Sequence, residues 1–535
     1  MKSQKLNYKT TKRFSKLIED YLSNDPNLKP FYTHELNEEG IQKAIQEKNF
    51  SKDQRRKLVQ ALQKQNAEVS LSKKQVNALD LLEKENTYTI TTAHQTNLLL
   101  GPVYLIYKIM HAIVCAQYLN KKFPDKNFIP IYYAGSEDND WEELDHIYIN
   151  QKKYQWKTEQ TKAAFGNAKI DEALLGLIQE IEDKEGKDSD TTKELWSLIK
   201  KCYRKNVTIF EANRQLILSL FHEYPLIVID GNDKDLKRSF LPIMKEDLLN
   251  NKAEELVNLQ SKNLQKLYKT QAFARPINLF YLKENIRERI DKENENYKVV
   301  NTNISWNKEE LINELEAHPE RFSPNVILRP VYQEFILPNI AFIGGGSELA
   351  YWMQLKKVFD FFEVPYPVLI LRQSFEWIEN QKLKEWEDLG LSIENLFDSI
   401  ISIQRDNAKN KIPDSLNINN IKEEFKCKLQ SLEEEIVQLD KTLEYSLAAV
   451  QHKINYQLSI LKKKLIRAYK KEEKEYNKKV EEIIRKVFPY GGLTERKEGF
   501  IIYYNKWGND FLNYLYKNTE PLGTKFSCLI FENKE

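Results

Sequence analysis

Residues 88–107, YTITTAHQTNLLLGPVYLIY, contain the pattern that decides the fold. A β-favouring run at 88–92 leads into a polar turn at 93–97, and Gly101-Pro102 then opens an amphipathic helical pattern. Proline suits the first turn of a helix, because its missing N–H would have no partner there. The spacing therefore predicts a strand, a polar loop and a helix. In an open α/β sheet such a junction lies at the carboxyl end of a strand, where ligands bind.

The polar turn offers side chains that could reach a ligand. The N-terminus of the following helix presents free N–H groups and a positive dipole, both of which suit a phosphate group. His94, Gln95 and Asn97 lie where they could contact such a ligand. The alternative is an ordinary strand-to-helix connection whose polar residues cap the helix, and the local pattern by itself favours that alternative.

A second β-like run, at 128–133, ends in an acidic loop that contains Glu137, Asp138 and Asp140. A strand, a crossover helix and a second strand form a right-handed parallel unit, so we expect both loops at one edge of the sheet. Carboxylates there could bind a substrate ammonium group or sugar hydroxyls, or could position Mg²⁺ beside phosphates. An acidic first turn of a helix explains the same pattern equally well.

Further apolar runs at 224–231, 339–343 and 368–371 predict more buried strands. Gly344-Gly345-Gly346 follows the second of these runs and precedes a helical pattern. Such a loop lets backbone N–H groups approach an anion closely, although a tight strand-to-helix turn needs glycine as well. Arg329 lies in an apolar stretch, so its guanidinium is predicted to bind a ligand anion or, as we favour, to form an internal structural pair.

The segments between these runs are helical in pattern and indicate a sheet interrupted by two insertions. Glycine is absent between Gly390 and Gly491 and charged residues are dense there, so the composition of this part differs from that of the core. The predicted segments are 1–150, a first core part with a helical lead-in; 151–222, a first insertion; 223–237, a core strand; 238–318, a largely helical second insertion; 319–374, a second core part; 375–487, a helical arm; and 488–535, an extension that returns to the core.

Apolar residues from Ile421 to Tyr469 step by three and four and predict one long, heptad-like helix. The segment 374–408 is its predicted antiparallel partner, with a break at Ile412-Pro413. Such an arm usually mediates self-association, and an intramolecular hairpin is the alternative. The basic run at 462–479 contains interspersed glutamates, which favours a solvated helix face over a nucleic-acid site.

Composition argues against several partners. The 535 residues carry a net charge of only +2, so the basic surface typical of nucleic-acid binding is not expected. The four cysteines form no CxxC pair, which argues against a zinc or disulfide framework and fits a reducing cytoplasm. The most apolar long stretch, 326–346, contains charged residues and favours a buried sheet region over a membrane span. We expect a cytoplasmic protein without nucleic-acid or membrane partners and without a metal held by the protein.

Several blocks of the sequence resemble the bacillithiol biosynthesis cysteine-adding enzymes, a family of cysteine ligases. They are TTAHQ at 91–95 with Gly101-Pro102, GSEDND at 135–140, PERFSPNV at 319–326, ELAYW at 348–352, and the tail from Glu495 to Gly508. The blocks occur in the family's order and span nearly the whole chain. The resemblance implies the α/β class: a Rossmann-like nucleotidyl-transferase core with two connective-peptide insertions, and a long α-helical coiled-coil arm that forms a homodimer.

The resemblance also implies a reaction. L-cysteine would be joined to the amine of glucosaminyl-malate in the last step of bacillithiol synthesis, after ATP had activated the cysteine carboxylate, and Mg²⁺ could accompany the ATP. The alternative is a non-catalytic coiled-coil scaffold with a degenerate core. The chain departs from many members, which have Gly-Gln in place of Ala93-His94. A second, lysine–serine type of phosphate loop is not recognisable.

The resemblance and the loop pattern together give a set of candidate site residues. The predicted catalytic residues are His94, Gln95 and Asp138; the predicted nucleotide-binding residues are Thr92, Asn97, Gly101, Gly344, Gly345, Gly346 and Asn505; and the predicted substrate-binding residues are Glu137, Asp140, Arg329, Glu348, Tyr351 and Gln354. These predictions require the loops at 93–97, 135–140 and 344–348 to meet at one edge of the sheet.

Overall fold

The computed structural model describes residues 1–160, 163–186, 190–284 and 286–532. Its strands are β1 (Lys2–Asn7), β2 (Thr87–Gln95), β3 (Asn127–Gly135), β4 (His146–Ile149), β5 (Lys152–Gln155), β6 (Ile227–Asp230), β7 (Leu279–Lys283), β8 (Ile286–Glu293), β9 (Asn296–Val299), β10 (Ser305–Trp306), β11 (Phe322–Pro324), β12 (Asn339–Gly344), β13 (Val368–Leu371), β14 (Phe375–Glu379) and β15 (Lys525–Phe531).

The α-helices are α1 (Tyr8–Thr11), α2 (Lys16–Leu22), α3 (Glu38–Glu47), α4 (Lys52–Gln65), α5 (Lys73–Leu81), α6 (Tyr104–Lys122), α7 (Trp141–Leu144), α8 (Glu172–Glu185), α9 (Asp190–Cys202), α10 (Ile209–Leu220), α11 (Lys234–Ser239), α12 (Leu241–Asn250), α13 (Lys252–Leu264), α14 (Lys308–Ala317), α15 (Leu328–Ile336), α16 (Gly346–Trp352), α17 (Lys356–Phe361), α18 (Asn380–Glu387), α19 (Ile400–Asn410), α20 (Ile418–Leu439), α21 (Leu443–Glu472), α22 (Lys474–Val487), α23 (Ile501–Trp507) and α24 (Asn509–Asn518).

A parallel five-stranded sheet forms the core, in the order β13-β12-β2-β3-β6. Numbered by their appearance within this sheet, the strands run 3-2-1-4-5 from β6, the order of doubly wound nucleotide-binding folds. The strand order reverses between β2 and β12, so the crevice above these strands is the expected ligand position. Helix α6 packs against β2 and β3, whereas α3 packs against β12 and β13. The α/β, Rossmann-like prediction is confirmed.

The strand predictions succeed where both faces of a strand are covered. All residues of β12 and β13 are buried, so these strands appear in the sequence as continuous apolar runs. The expectation of a sheet throughout 326–346 is wrong, because α15 occupies most of its first half. One face of α15 is strongly apolar, and over nine residues such a helix resembles a buried strand.

The second insertion contains helices α12, α13 and α14 and, at the β-like run 276–282 that the sequence also shows, strand β7; the strands that follow β7 were not predicted. It contains most of an antiparallel sheet in the order β10-β9-β8-β7-β11. Its longest strand, β8, reads IRERIDKE, and only Ile290 in it is buried. Strand signals depend on apolar alternation, so a charged and largely accessible strand of this kind escapes detection.

The arm is a hairpin of α20 and α21, which pack against each other. Segment 374–408 is therefore not the main partner: it begins with β14, and only its last helix, α19, contacts α21. The reversal occurs at Asp440, whose Oδ1 accepts a hydrogen bond from Thr442 N at 2.8 Å. No glycine or proline marks this turn, and the heptad pattern continues across it, so the sequence predicts one helix where the structure has two.

Both ends of the chain meet in a small sheet, β1-β15-β14. β1 runs antiparallel to β15, with Lys2 opposite Ile530, and β15 runs parallel to β14. The prediction of a purely helical lead-in missed β1. Its residues KSQKLN are mainly exposed, so their strand conformation depends on pairing with a segment more than 500 residues away.

No helix in the described ranges is both long and apolar enough to span a membrane.

Stability at alkaline pH is expected to depend on Glu376 in β14. Its side chain is buried and accepts a hydrogen bond from Thr494 N at 3.2 Å, and burial raises its pKa to about 8. Between the unfolded pKa and this value the native state retains a proton that the unfolded chain releases, so the free energy of unfolding falls as pH rises, by at most about 1.4 kcal/mol per pH unit. The variant Glu376→Gln cannot lose this proton, so its free energy of unfolding should fall less steeply with rising pH than that of wild type.

Denaturant unfolding between pH 5 and pH 9 measures the effect. Glu434→Gln, at an exposed position of the arm, is the matched control and should keep the wild-type pH slope. Equal slopes in wild type and Glu376→Gln would show that Glu376 is ionised in the native state.

Candidate functional site

A cavity of about 770 Å³ lies at the carboxyl ends of the core strands, above the point where the strand order reverses. His94 and Gln95 at the end of β2, Asp138 after β3, and Gly345 and Glu348 after β12 all line it. The three loops identified in the sequence thus meet in one place. This position follows from the parallel sheet, which places the end of every core strand at the same edge.

The candidate residues divide into two groups by position. Those that line the cavity are His94, Gln95, Glu137, Asp138, Arg329, Gly345, Gly346, Glu348 and Tyr351; those that do not are Thr92, Asn97, Gly101, Asp140, Gly344, Gln354 and Asn505. The second group lies outside this cavity, and the roles of both groups remain predictions.

Several of the displaced residues serve the fold directly. Thr92 Oγ1 donates to Ile343 O at 2.8 Å, which ties β2 to β12. Gly101 has a φ of +61° and lies against Asn97, so both residues shape the turn before α6. Gly344 contacts Phe342 and Leu349 too closely for a side chain.

The other displaced residues lie in loops or inside neighbouring segments. Gln354 is fully buried, and its Oε1 accepts hydrogen bonds from the backbone N–H groups of Gln271 and Ala272. Asn505 Nδ2 donates to Glu185 O at 3.0 Å. Asp140 is exposed beyond the rim of the cavity. The sequence pattern located the right loops but could not show which way each side chain points.

His94 has no N–H group available for a ligand. Burial, followed by the nearby charge of Lys108, lowers its pKa to about 4, so the ring is neutral at pH 7. Nδ1 lies 2.9 Å from Gln95 O and must donate to it, and Nε2 therefore accepts from the Tyr104 hydroxyl at 2.8 Å. In this arrangement His94 orients the Tyr104 hydroxyl and has no N–H to donate to a phosphate group, so a catalytic role for it stays a prediction.

Asp138 is the most available carboxylate of the cavity. Its Oδ2 accepts from Gln95 Nε2 at 2.6 Å and its Oδ1 accepts from Asn139 N at 2.8 Å. Arg287 Nη1, from β8 of the second insertion, lies 3.8 Å from Oδ1. These contacts fix the carboxylate while 30% of the side chain stays exposed, so a ligand can reach it.

Glu137 lines the same wall but is committed to Lys237. The two form an ion pair, and the lysine side chain is completely buried. Lys237 also donates to Asn232 Oδ1 at 2.7 Å. A buried ammonium needs this carboxylate, so Glu137 is poorly placed to bind a substrate ammonium group as well.

A second ion pair, Lys108–Glu348, forms part of the cavity floor. Lys108 also donates to Ala93 O at 2.9 Å, and Glu348 accepts from Gly345 N at 2.7 Å. Burial acts to raise the pKa of Glu348, but Lys108 outweighs it and the pKa lies below its ordinary value. The pair joins α6 to α16, and its backbone contacts with Ala93 and Gly345 fix two of the three loops relative to each other.

Arg372, at the end of β13, completes the floor. Its Nη2 lies 2.7 Å from Glu495 Oε1, and both side chains are buried. The guanidinium also lies over the Tyr104 ring, 5.1 Å from the centroid. Sequence analysis missed Lys108, Arg372, Glu495 and Tyr104 as site residues. A single cation within an apolar pattern, the signal noticed for Arg329, would have indicated Lys108 and Arg372 as well.

Arg329 faces the cavity with neutral partners only. Its Nη2 donates to the Tyr351 hydroxyl at 2.7 Å and its Nη1 to Gln333 Oε1 at 3.1 Å. Within the described residues it forms no ion pair with a carboxylate. The structural partners that we favoured exist, but they are neutral and leave the guanidinium without a carboxylate in direct contact.

Positive charge exceeds negative charge around the cavity. Three carboxylates, those of Glu137, Asp138 and Glu348, face six cations, which are Arg13, Lys108, Arg287, Arg329, Arg372 and Arg496. An anionic ligand would offset this excess, since guanidinium groups bind phosphate and carboxylate in two-point geometry. No group of three or more His, Cys, Asp or Glu residues in the described part of the chain could hold a metal ion.

Family models cover almost the whole chain. Residues 1–373 match the bacillithiol biosynthesis BshC N-terminal Rossmann-like domain, and residues 375–531 match the BshC C-terminal coiled-coil domain. The chain belongs to the BshC family. The two BshC models meet just before β14, and Arg496 lies in the second, so the cavity draws side chains from both parts.

BshC proteins of three bacteria show how close the likeness is. Each carries the name "Putative cysteine ligase BshC". The protein of Flavobacterium johnsoniae is 36% identical and covers 98% of this chain and 99% of its own length; that of Flavobacterium psychrophilum is 36% identical, with 98% of each chain covered; and that of Christiangramia forsetii is 34% identical, again with 98% of each covered. The family resemblance is therefore confirmed over the full length.

Proposed function

We propose that the protein is an ATP-dependent ligase that joins the carboxyl group of L-cysteine to the amine of glucosaminyl-malate. The observation that carries the proposal is the cavity at the strand-order reversal, where one available carboxylate lies among an excess of cations. Its relatives bear the name of cysteine ligases of bacillithiol biosynthesis. Phosphates and malate carboxylates are anions and amines are cations, so these substrates need both kinds of group.

The proposed reaction has two steps. A cysteine carboxylate oxygen bonds to the α-phosphorus of ATP, and pyrophosphate leaves. The sugar amine then bonds to the cysteine carbonyl carbon, and AMP leaves with the bridging oxygen. The amine must lose a proton to become a nucleophile, and Asp138 is our candidate to accept it, because Glu137 and Glu348 are paired with lysines.

The cations of the cavity have a separate part in the scheme. Arg329 has only neutral hydrogen-bond partners and is our candidate to bind an anionic group of a substrate during transfer. Mg²⁺, if the reaction uses it, would be bound mainly through ATP phosphates and water, since Mg²⁺ commonly needs only one or two protein carboxylates.

The direct test combines the purified protein with L-cysteine, ATP and glucosaminyl-malate. Mass spectrometry should detect the amide product, and chromatography should detect AMP in equal amount. Omission of any one substrate should abolish both signals. A preparation that binds the substrates but forms neither product would refute the ligase proposal.

We also propose that the arm joins two copies of the chain. The hairpin leaves large apolar side chains uncovered, which suggests a missing partner surface. These are Phe425, Leu432, Leu439, Leu443, Tyr445, Val450, Tyr456 and Leu461. Light scattering should give twice the mass of one chain, and Leu439→Glu with Tyr445→Glu should halve it. A wild-type mass of one chain would contradict the proposal.

A further inference from the structure

We propose that Arg13, Arg372 and Arg496 form a single anion subsite at the cavity, and that it binds a dianionic oxygen group of a substrate. This inference rests on the proposed function and assigns a part of its substrates. Two sources share the required chemistry: the phosphates of the nucleotide and the paired carboxylates of the malate unit.

The three residues come from distant parts of the chain. Arg13 lies in the loop between α1 and α2, Arg372 directly follows β13, and Arg496 lies between α22 and α23. Arg496 Nη2 donates to Arg13 O at 2.9 Å, which joins the two outer segments. All three line the same cavity.

Aromatic rings support both outer guanidinium groups. Arg13 lies over the ring of Phe488, 5.3 Å from its centroid, and Arg496 lies over Phe14 at 5.6 Å. Stacking on a ring holds a guanidinium plane without using its N–H donors. The donors of both residues therefore remain largely available for a ligand.

The charge of this cluster is only partly compensated. Glu495 pairs with Arg372, whereas Arg13 and Arg496 form no direct ion pair with any carboxylate that the structure describes. Nε of Arg13 is buried without a hydrogen-bond partner. Partial desolvation of its guanidinium lowers the pKa of Arg496, the nearby charge of Glu495 opposes this, and the charges of Arg372 and Arg13 lower the pKa further. Neighbouring like charges cost free energy, and a bound dianion would recover it.

An arginine with a purely structural role has different contacts from those of Arg496. Arg55, which is structural, is buried and donates to the backbone oxygens of Leu82, Thr87 and Glu85. Arg496 is exposed, and a single backbone oxygen, that of Arg13, accepts a side-chain hydrogen bond from it among the contacts described. The N–H groups of Arg55 are used by backbone acceptors of the fold, whereas most N–H groups of Arg496 have no such acceptor and the side chain lines the cavity.

Calorimetric titration with two probes tests the subsite. Inorganic pyrophosphate stands for the nucleotide and L-malate for the sugar substrate. Wild type should bind at least one probe, and Arg13→Gln and Arg496→Gln should each weaken that binding about tenfold or more, because each loses a charge-assisted contact. The probe whose binding is weakened in these variants shows whether the subsite binds the nucleotide phosphates or the malate carboxylates. Arg496→Lys should restore part of the affinity, since it retains the charge.

The control is Arg238→Gln, an exposed position on α11 outside the cavity, which should bind both probes like wild type. Melting temperatures verify that each variant is folded. Unchanged affinity in either Arg13→Gln or Arg496→Gln, or a wild type that binds neither probe, overturns the subsite. Binding is measured without turnover, so failure of the ligase reaction would not affect the result.

Discussion

Asp138→Asn should lower the turnover of the proposed ligation by about 10²–10⁴-fold, the usual contribution of a positioned proton acceptor. Asparagine keeps the size of the side chain, but its single acceptor oxygen can keep only one of the two contacts, with Gln95 Nε2 or with Asn139 N, which use different oxygens of Asp138. It removes the negative charge and the capacity to take a proton from the attacking amine. Product formation at saturating substrate measures the change, and circular dichroism verifies the fold.

The matched control is Asp140→Asn, two residues further along the same loop. Asp140 lies outside the cavity and is exposed, so this variant should retain turnover close to wild type. Equal losses in both variants would indicate a general effect of loop charge. Full activity in Asp138→Asn would remove Asp138 from the mechanism.

Lys108→Met should lower the free energy of unfolding by about 3–5 kcal/mol, because it leaves the Glu348 carboxylate without its partner in the cavity floor. The Lys108 side chain is only 3% exposed, and Glu348 is 23% exposed. Methionine fills a similar volume, so the loss of charge rather than a cavity determines the result. Denaturant unfolding followed by tryptophan fluorescence measures it.

Two further variants separate the causes. Lys108→Met combined with Glu348→Gln removes both charges and should recover a large part of the lost stability. Lys43→Met breaks the exposed Lys43–Glu39 pair of 2.7 Å on α3, where both side chains are more than half exposed, and should cost less than about 1 kcal/mol. A loss in Lys108→Met no larger than that in Lys43→Met would show that the floor pair contributes little.

The core could be predicted from sequence because its signals are local. A strand covered on both faces is made largely of apolar and β-branched residues, and the turn that follows it must be polar or rich in glycine. Residues 88–97 and 339–346 follow this rule, and they led to the loops that line the cavity. The parallel connection then places these loops at one edge without any knowledge of side-chain contacts.

The rest of the site depends on contacts between distant residues. Lys108 and Glu348 are separated by 240 positions, and Arg372 and Glu495 by 123. No local pattern indicates which buried cation meets which carboxylate. The sequence likewise could not show that both ring nitrogens of His94 are used within the protein, one of them by the Tyr104 hydroxyl. The sequence was therefore sufficient to locate the loops, whereas the hydrogen-bond and ion-pair partners of each polar side chain could be assigned only from the structure.

Pairing of β1 with β15 has a consequence for synthesis of the chain. β1 leaves the ribosome more than 500 residues before its partner β15, and by the time residues 525–531 emerge the core sheet has all its strands available. Arg13 follows β1 closely in the chain, so a chain truncated before β15 would contain a folded core sheet but would lack the pairing that anchors the segment carrying Arg13. Closure across such a long loop is entropically slow, and we expect it to be the last event of folding.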